Sequence, residues 1–243
     1  MDTLFLGVSY VVSCRVLWVS WENQREHYIE KKREKQYIYS LWQDLQSDTA
    51  TLRFILFRYS ESNKLIDTFI RLLKSNERNK VTCKIYNLAR TIPFADIQAQ
   101  PHDKTFEQLK SSGNLRLVHN NEILDEIGAY YKTYDFMTIG GPGQMMFQNR
   151  HDLYLFTHEL FDMAFFEKML QMPGNTDANN FNNLDSCDQT LTLLSNDPIV
   201  INKICARYYY IHMTRKVLAN WIYSLTKQAD TLIKNIQQEY HFQ

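Results

Sequence analysis

The stretch Thr105–Tyr131, TFEQLKSSGNLRLVHNNEILDEIGAYY, decides how the chain is read. It spells a short helix, a glycine stop, an apolar connector and a second helix. Thr105 is placed to cap the first helix, with Gln108 at capping-box spacing, and Gly113 suits the left-handed position that follows a helix end. Asn120 or Asn121 can cap the second helix, in which Ile123, Ile127, Tyr130 and Tyr134 recur on one face. A helix pair this short cannot bury its own apolar side. Leu109, Leu115, Leu117, Ile123 and Ile127 are therefore expected to be covered by the long helical arms that flank the stretch.

The upstream arm opens on Leu4–Trp21, LFLGVSYVVSCRVLWVSW, an apolar run of about 18 residues, the minimum for spanning a hydrocarbon core. Ser9, Ser13, Cys14 and Arg15 dilute it, but Arg15 lies towards the far end, where it can snorkel, and Trp18 and Trp21 stand where an interfacial aromatic belt would be. The reading is a membrane anchor over residues 1–21, marked by Leu4, Trp18 and Trp21. From Glu22 to Gln36 the chain is densely charged in both signs, which predicts a solvated helical stalk over residues 22–37. A seam follows, Ile38, Trp42, Leu45, Thr49, Leu52, Leu56 and Tyr59, spaced as in a helix packed on another helix. Ser60, Ser62 and Asn63 predict a turn, after which Leu65, Ile66, Phe69, Ile70 and Leu73 form a second stripe. Ser75–Lys80 predicts an interruption. Val81, Ile85, Leu88 and Ile92 then resume the pattern, and Pro93 is expected to end that helix at the residue before it.

Downstream, the glycines and proline of Gly140–Gly143 break the chain. Met145–Met172 reads as one strong apolar helix, and Pro173–Gln189 as an exposed, Asn-rich loop. Asp197 and Pro198 supply a cap and a first-turn proline. From there Ile201, Ile204, Tyr208, Ile211, Arg215, Leu218, Ile222, Leu225, Ala229, Leu232 and Ile236 alternate three and four apart without a slip. Arg215 is the one charge on that seam, expected to pair with an acidic residue of a facing helix or to snorkel out.

Composition narrows the function. Of 243 residues only seven are glycine and five proline, so breakers are rare and an all-α chain is favoured. Lys plus Arg and Asp plus Glu are each 27, which leaves no global basic field for a nucleic-acid backbone. Cys14, Cys83, Cys187 and Cys205 have neither CxxC spacing nor histidines at zinc-finger distances, and no phosphate loop, nucleophile elbow or cofactor motif is present. RHDLYLFTHELFD offers the nearest thing to a catalytic constellation. Its His158 and Asp162 would lie one helical turn apart with His151 nearby, a zinc-binding signature in which aspartate replaces the second histidine.

Two stretches also carry a resemblance. LWVSWENQREHYIEKKREKQYIYSLWQDLQSDTATL is similar to an NxWNE(E)RK and L..DLxSD pattern that follows a membrane helix, and Thr105–Tyr131 is similar to a (T/S)(F/Y)EELKSSGNLRLIKNKELRxxLxxYY segment. Both belong to an uncharacterised family of single-pass membrane proteins widespread in Bacteroidetes. The resemblance runs from the start of the chain to Tyr131, with the remainder alike only in helical layout and length. This chain departs from the family in lacking a basic tail before the membrane helix and in carrying Arg15 within it. The resemblance implies an inner-membrane anchor with a periplasmic helical domain, although Arg25, Lys31, Lys32, Arg33 and Lys35 by themselves argue for a cytoplasmic one. It implies no activity.

The expectation is thus an all-α antiparallel bundle over residues 22–243 with very long first and last helices, tethered by a transmembrane helix that continues into it. Its function would be non-catalytic binding, sensing or scaffolding at the membrane, with no cofactor and no nucleic acid. A protein partner, a small ligand or a second copy of the chain would be the target. The alternatives are a helical metal-dependent hydrolase using His151, His158 and Asp162, and a soluble helical protein whose N-terminal apolar helix is buried.

Overall fold

Every described element of the computed structural model is helical. It describes residues 2–94, 99–165 and 191–242, with side chains from residue 18 onward, 19 and 94 excepted. Helix α1 runs over Asp2–Lys74, α2 over Thr82–Phe94, α3 over Lys104–Ser111, α4 over Asn121–Thr138, α5 over Gly141–Thr157 and α6 over Pro198–Tyr240. Short 3-10 turns occupy Arg78–Lys80 and Asn114–Leu117. The chain divides into two compact units. The first is Met1–Ser47, His102–Gly128 and Thr231–Gln243; the second is Asp48–Pro101 and Ala129–Asp230.

Leu4–Trp21 follows a helical path within α1, but among the described residues no helix is long and apolar enough to cross a membrane. Leu4 falls outside the described side chains, whereas Trp18 and Trp21 are 63% and 60% exposed.

In the first unit the central stretch behaves largely as its pattern requires. Leu109, Leu117, Ile123 and Ile127 are buried and Leu115 is half-buried. Gly113 adopts φ +69°, the left-handed conformation anticipated for it, and Asn120 Oδ1 accepts from the Ile123 amide at 3.1 Å as a cap. Thr105 is no cap: α3 already starts at Lys104, and Asp103 before it makes no side-chain cap bond. The stalk is solvated except at one position. Glu34 is buried, its carboxylate accepting from the His119 amide and the Tyr240 hydroxyl, both at 2.8 Å, while its second oxygen lies 2.9 Å from His119 Nδ1. One carboxylate thereby joins α1, the loop before α4 and the end of α6.

The second unit departs further from the local reading. No turn forms at Ser60–Asn63, because α1 continues through it to Lys74. The reason lies in the core: Ser62 is fully buried and its Oγ accepts from Arg215 Nη1 at 2.7 Å, while Arg215 Nη2 donates to the Ile92 carbonyl at 2.8 Å. Arg215 neither snorkels nor is exposed at all. A hydroxyl and a helix-end carbonyl meet it, and the seam of α6 is buried at all eleven positions from Ile201 to Ile236, Arg215 included.

Pro93 does not stop α2 at the preceding residue; the helix closes one residue beyond it, at Phe94. A proline there removes the amide that would bond the carbonyl four residues earlier, Ala89. Tyr208 of α6 replaces it, its hydroxyl donating to Ala89 O at 2.8 Å in the buried core. The expected long helix from Met145 is shorter as well. It begins at Gly141 and ends at Thr157, after which the chain turns so that Leu160 and Phe161 are fully buried, Phe161 lying edge-on to Tyr86. Pro173–Gln189 and Cys187 lie outside the described residues.

Two predictions follow from these bonds. Ser62→Ala should cost about 1–3 kcal/mol in urea unfolding by leaving a buried guanidinium N–H unmet, while Ser60→Ala, two residues away and exposed, should stay within about 0.5 kcal/mol. Equal effects would refute the Arg215 assignment. Tyr208→Phe should likewise cost about 1–3 kcal/mol, but less when Pro93→Ala restores the amide that Ala89 O lacks. A double-mutant cycle with no coupling would show that the hydroxyl does not substitute for the proline's missing donor.

Candidate ligand pocket

The second unit contains a half-open pocket of about 400 Å³. It arises where the Gly140–Gly143 turn brings the end of α4 against the start of α5. Ile139 and Gly140 amides both donate to Asp135 O, at 2.9 and 3.3 Å, and the Gln144 amide donates to Gly140 O at 2.9 Å, so one helix is closed and the next opened within four residues. A Cβ on Gly143 would lie 1.9 Å from Thr138 O. Only glycine permits that approach.

Met137, Met146, Leu218 and Ile222 supply a buried apolar floor, and Tyr59 of α1 and Ala99 complete it. At the lip stand Ile139 and Phe147, respectively 76% and 73% exposed, far from the usual fate of such residues. Arg150 is the charged side chain among the lining residues. It is half-buried and makes no hydrogen bond or ion pair among the described residues. The Thr138 hydroxyl is already committed, donating to Tyr134 O at 3.0 Å on its own helix.

The wall formed by α5 is held against α6 by polar contacts on either side of Arg150. Asn149 Nδ2 donates to Thr214 Oγ1 at 2.7 Å, Arg207 Nη1 donates to Asp152 at 2.9 Å, and Arg207 also lies 4.6 Å from the Phe156 ring centroid. These fix the helix without engaging the pocket arginine. Cavities of about 300–1,000 Å³ with mostly apolar walls and few polar groups are the usual form of a small-molecule site.

The histidines of RHDLYLFTHELFD are arranged differently from their sequence spacing. His151 is exposed on α5, His158 stands at its C-terminal cap and Asp162 lies beyond the helix. Asp162 Oδ1 accepts from the Ala164 amide at 3.0 Å, and the Asp162 amide donates to Tyr86 Oη at 2.8 Å. Since α5 stops at Thr157, His158 and Asp162 do not share a helix turn. Among the described residues no group of three or more His, Cys, Asp or Glu side chains is placed to hold a metal ion. What the motif concealed was its first residue, as Arg150 lies immediately before His151.

Other titratable groups in the second unit serve the core. Tyr130 donates to Asp48 Oδ2 at 3.0 Å with both residues fully buried; desolvation and the neighbouring carboxylate push its pKa well up. Cys205 is a buried free thiol whose pKa burial raises, the opposite of an activated nucleophile. Cys83 is disulfide-bonded.

Comparison with known proteins adds no constraint: no family model, no curated protein and no solved structure matches the chain.

Gly143→Ala should cost on the order of 3 kcal/mol, because the Thr138 backbone must move to admit a methyl group. Thermal unfolding checks it against Gly128→Ala, where a Cβ meets nothing within 4 Å. Equal stability of the two variants would contradict the tight α4–α5 turn.

Proposed function

We propose that this chain is a membrane-tethered helical binding or sensing module whose ligand site is the pocket of the second unit. The observation that carries the reading is that pocket: an apolar floor, a lip of exposed Ile139 and Phe147, and one arginine without a partner among the described residues. It has the make-up of a binding site, and its described lining residues include no carboxylate, histidine or cysteine.

The tether is residues 1–21, continuing through the stalk into an antiparallel helical bundle. Exposure of Trp18 and Trp21 supports an interfacial role for that end of the run and speaks against its burial within the chain. Opposed packing of the long helices is supported in the second unit, where Arg53, Ser62 and Phe69 of α1 meet Asp230, Arg215 and Tyr208 of α6 in descending order. A disulfide at Cys83 supports an oxidising compartment and therefore a periplasmic domain. That agrees with what the resemblance to the Bacteroidetes membrane family implies, whereas the basic residues after Trp21 point the other way. A protein partner or a second copy of the chain would read out the pocket's occupancy.

The test combines location and binding. The full chain should sediment with membranes and resist a carbonate wash, and removal of residues 1–21 should release it. A solvatochromic apolar dye should bind the full chain, and Ile222→Trp, which fills the pocket, should abolish the signal without unfolding the protein. Dye binding untouched by that substitution would reject the pocket. Stoichiometric zinc in the purified protein, lost on His158→Ala, would replace this reading with the metal-dependent hydrolase.

A further inference from the structure

We infer that the pocket takes a single-chain aliphatic carboxylate, with its tail on the floor made by Met137, Met146, Leu218 and Ile222 and its head on the Arg150 guanidinium. The inference rests on the pocket being a binding site and adds the chemistry of the occupant.

Three observations select that chemistry. Apart from Tyr59 the floor consists of aliphatic and thioether side chains, and methionine's unbranched, polarizable chain adapts to flexible tails better than to one rigid shape. Its volume of about 400 Å³ accommodates one slender chain, whereas a two-tailed lipid would leave one tail outside. The opening does not end in water at once, because the exposed Ile139 and Phe147 continue the apolar track at the lip.

Charge then fixes the head group. Among the described lining residues none is acidic, so no described carboxylate cancels the field of Arg150 there. A half-buried guanidinium beside apolar walls is poorly solvated and gains most from an anion; a neutral or cationic head would leave it worse off. The guanidinium fork can meet either a carboxylate or a phosphate with two parallel N–H groups, so the count of charges decides between them. A phosphate monoester, carrying up to two charges, would leave one uncompensated by the single cation among the described lining residues, whose other side-chain donors are the neutral Gln144 amide and Tyr59 hydroxyl, the Thr138 hydroxyl being spent on Tyr134 O.

The experiment uses the full chain in membranes and a fatty acid bearing a diazirine on its tail, with labelled residues mapped by mass spectrometry. Labelling should be saturable, fall on peptides of α4, α5 and α6 that line the pocket, and be competed by laurate at least about tenfold better than by lauryl alcohol, the loss expected for a charge-assisted hydrogen bond. Arg150→Gln, a change at a half-exposed residue without described partners, should erase the preference for laurate while leaving helicity and the melting midpoint unchanged; Arg150→Lys should restore part of it. If the alcohol competes as well as the acid in the unmodified chain, the carboxylate inference fails although the pocket reading stands. Stronger competition by lauryl phosphate would also overturn it. Absence of saturable labelling at the pocket by any of these probes would remove both.

Discussion

The second unit depends on two carbonyls at the end of α2. A helix leaves its last four carbonyls without internal donors, and Pro93 orphans one more by having no amide to give to Ala89. Both Ala89 and Ile92 face the core, where water cannot serve them. Helix α6 does so with Tyr208 and Arg215, seven residues and thus about two helical turns apart. Ser62 then takes a second N–H of the same guanidinium, so α1, α2 and α6 share one polar node inside an apolar seam. Each unmet bond in such a node costs far more than the formed bond contributes, and sliding α6 by one residue would break all three. Register is what this arginine secures. Leucine at the same position would bury as much apolar surface and specify less.

With that frame fixed, the pocket follows from a mismatch. Helix α5 has buried residues on one side, Met146 and Leu153, yet Met145, Phe147, Tyr154 and Leu155 are exposed on others. Its apolar surface exceeds what its neighbours cover. The Gly140–Gly143 turn, forced tight by the contact between Gly143 and the Thr138 carbonyl, then presses the start of α5 against the end of α4 and leaves a cleft between their side chains and α6. Arg150 sits one helical turn past Met146 and so reaches the same cleft. In the proposed site, affinity for an apolar chain would come from area removed from water and orientation from Arg150.

In the first unit a carboxylate plays the corresponding part. Glu34 lies in a stretch otherwise largely exposed; four residues before Ile38 it shares the face on which the α1 seam begins, but nothing local says which groups a carboxylate there would meet. Its role exists only because His119 and Tyr240, 85 and 206 residues away, are brought to it. Side chains of this kind are invisible to local reading, since their energetic weight is lent by partners distant in the chain.

What the sequence determined by itself was the strictest of its repeats. The three-and-four spacing from Ile201 to Ile236 is a local property, written in residues one turn apart, and every one of those positions is buried. The same holds for Gly113 and Asn120, whose roles are set by the backbone next to them. Tertiary structure decided the exceptions. Ser62 looked like a turn and Pro93 like a stop because local rules count only the donors and acceptors of the same segment, whereas Arg215 and Tyr208 supplied the missing groups from across the core. It also decided the site. His151, His158 and Asp162 had suggestive spacing, but burial of Leu160 and Phe161 turned the chain before that spacing could be realised on a helix. Arg150, with nothing around it in sequence to distinguish it, became the charge in a cleft because a pocket is made by side chains from several helices, and no single helix carries that information.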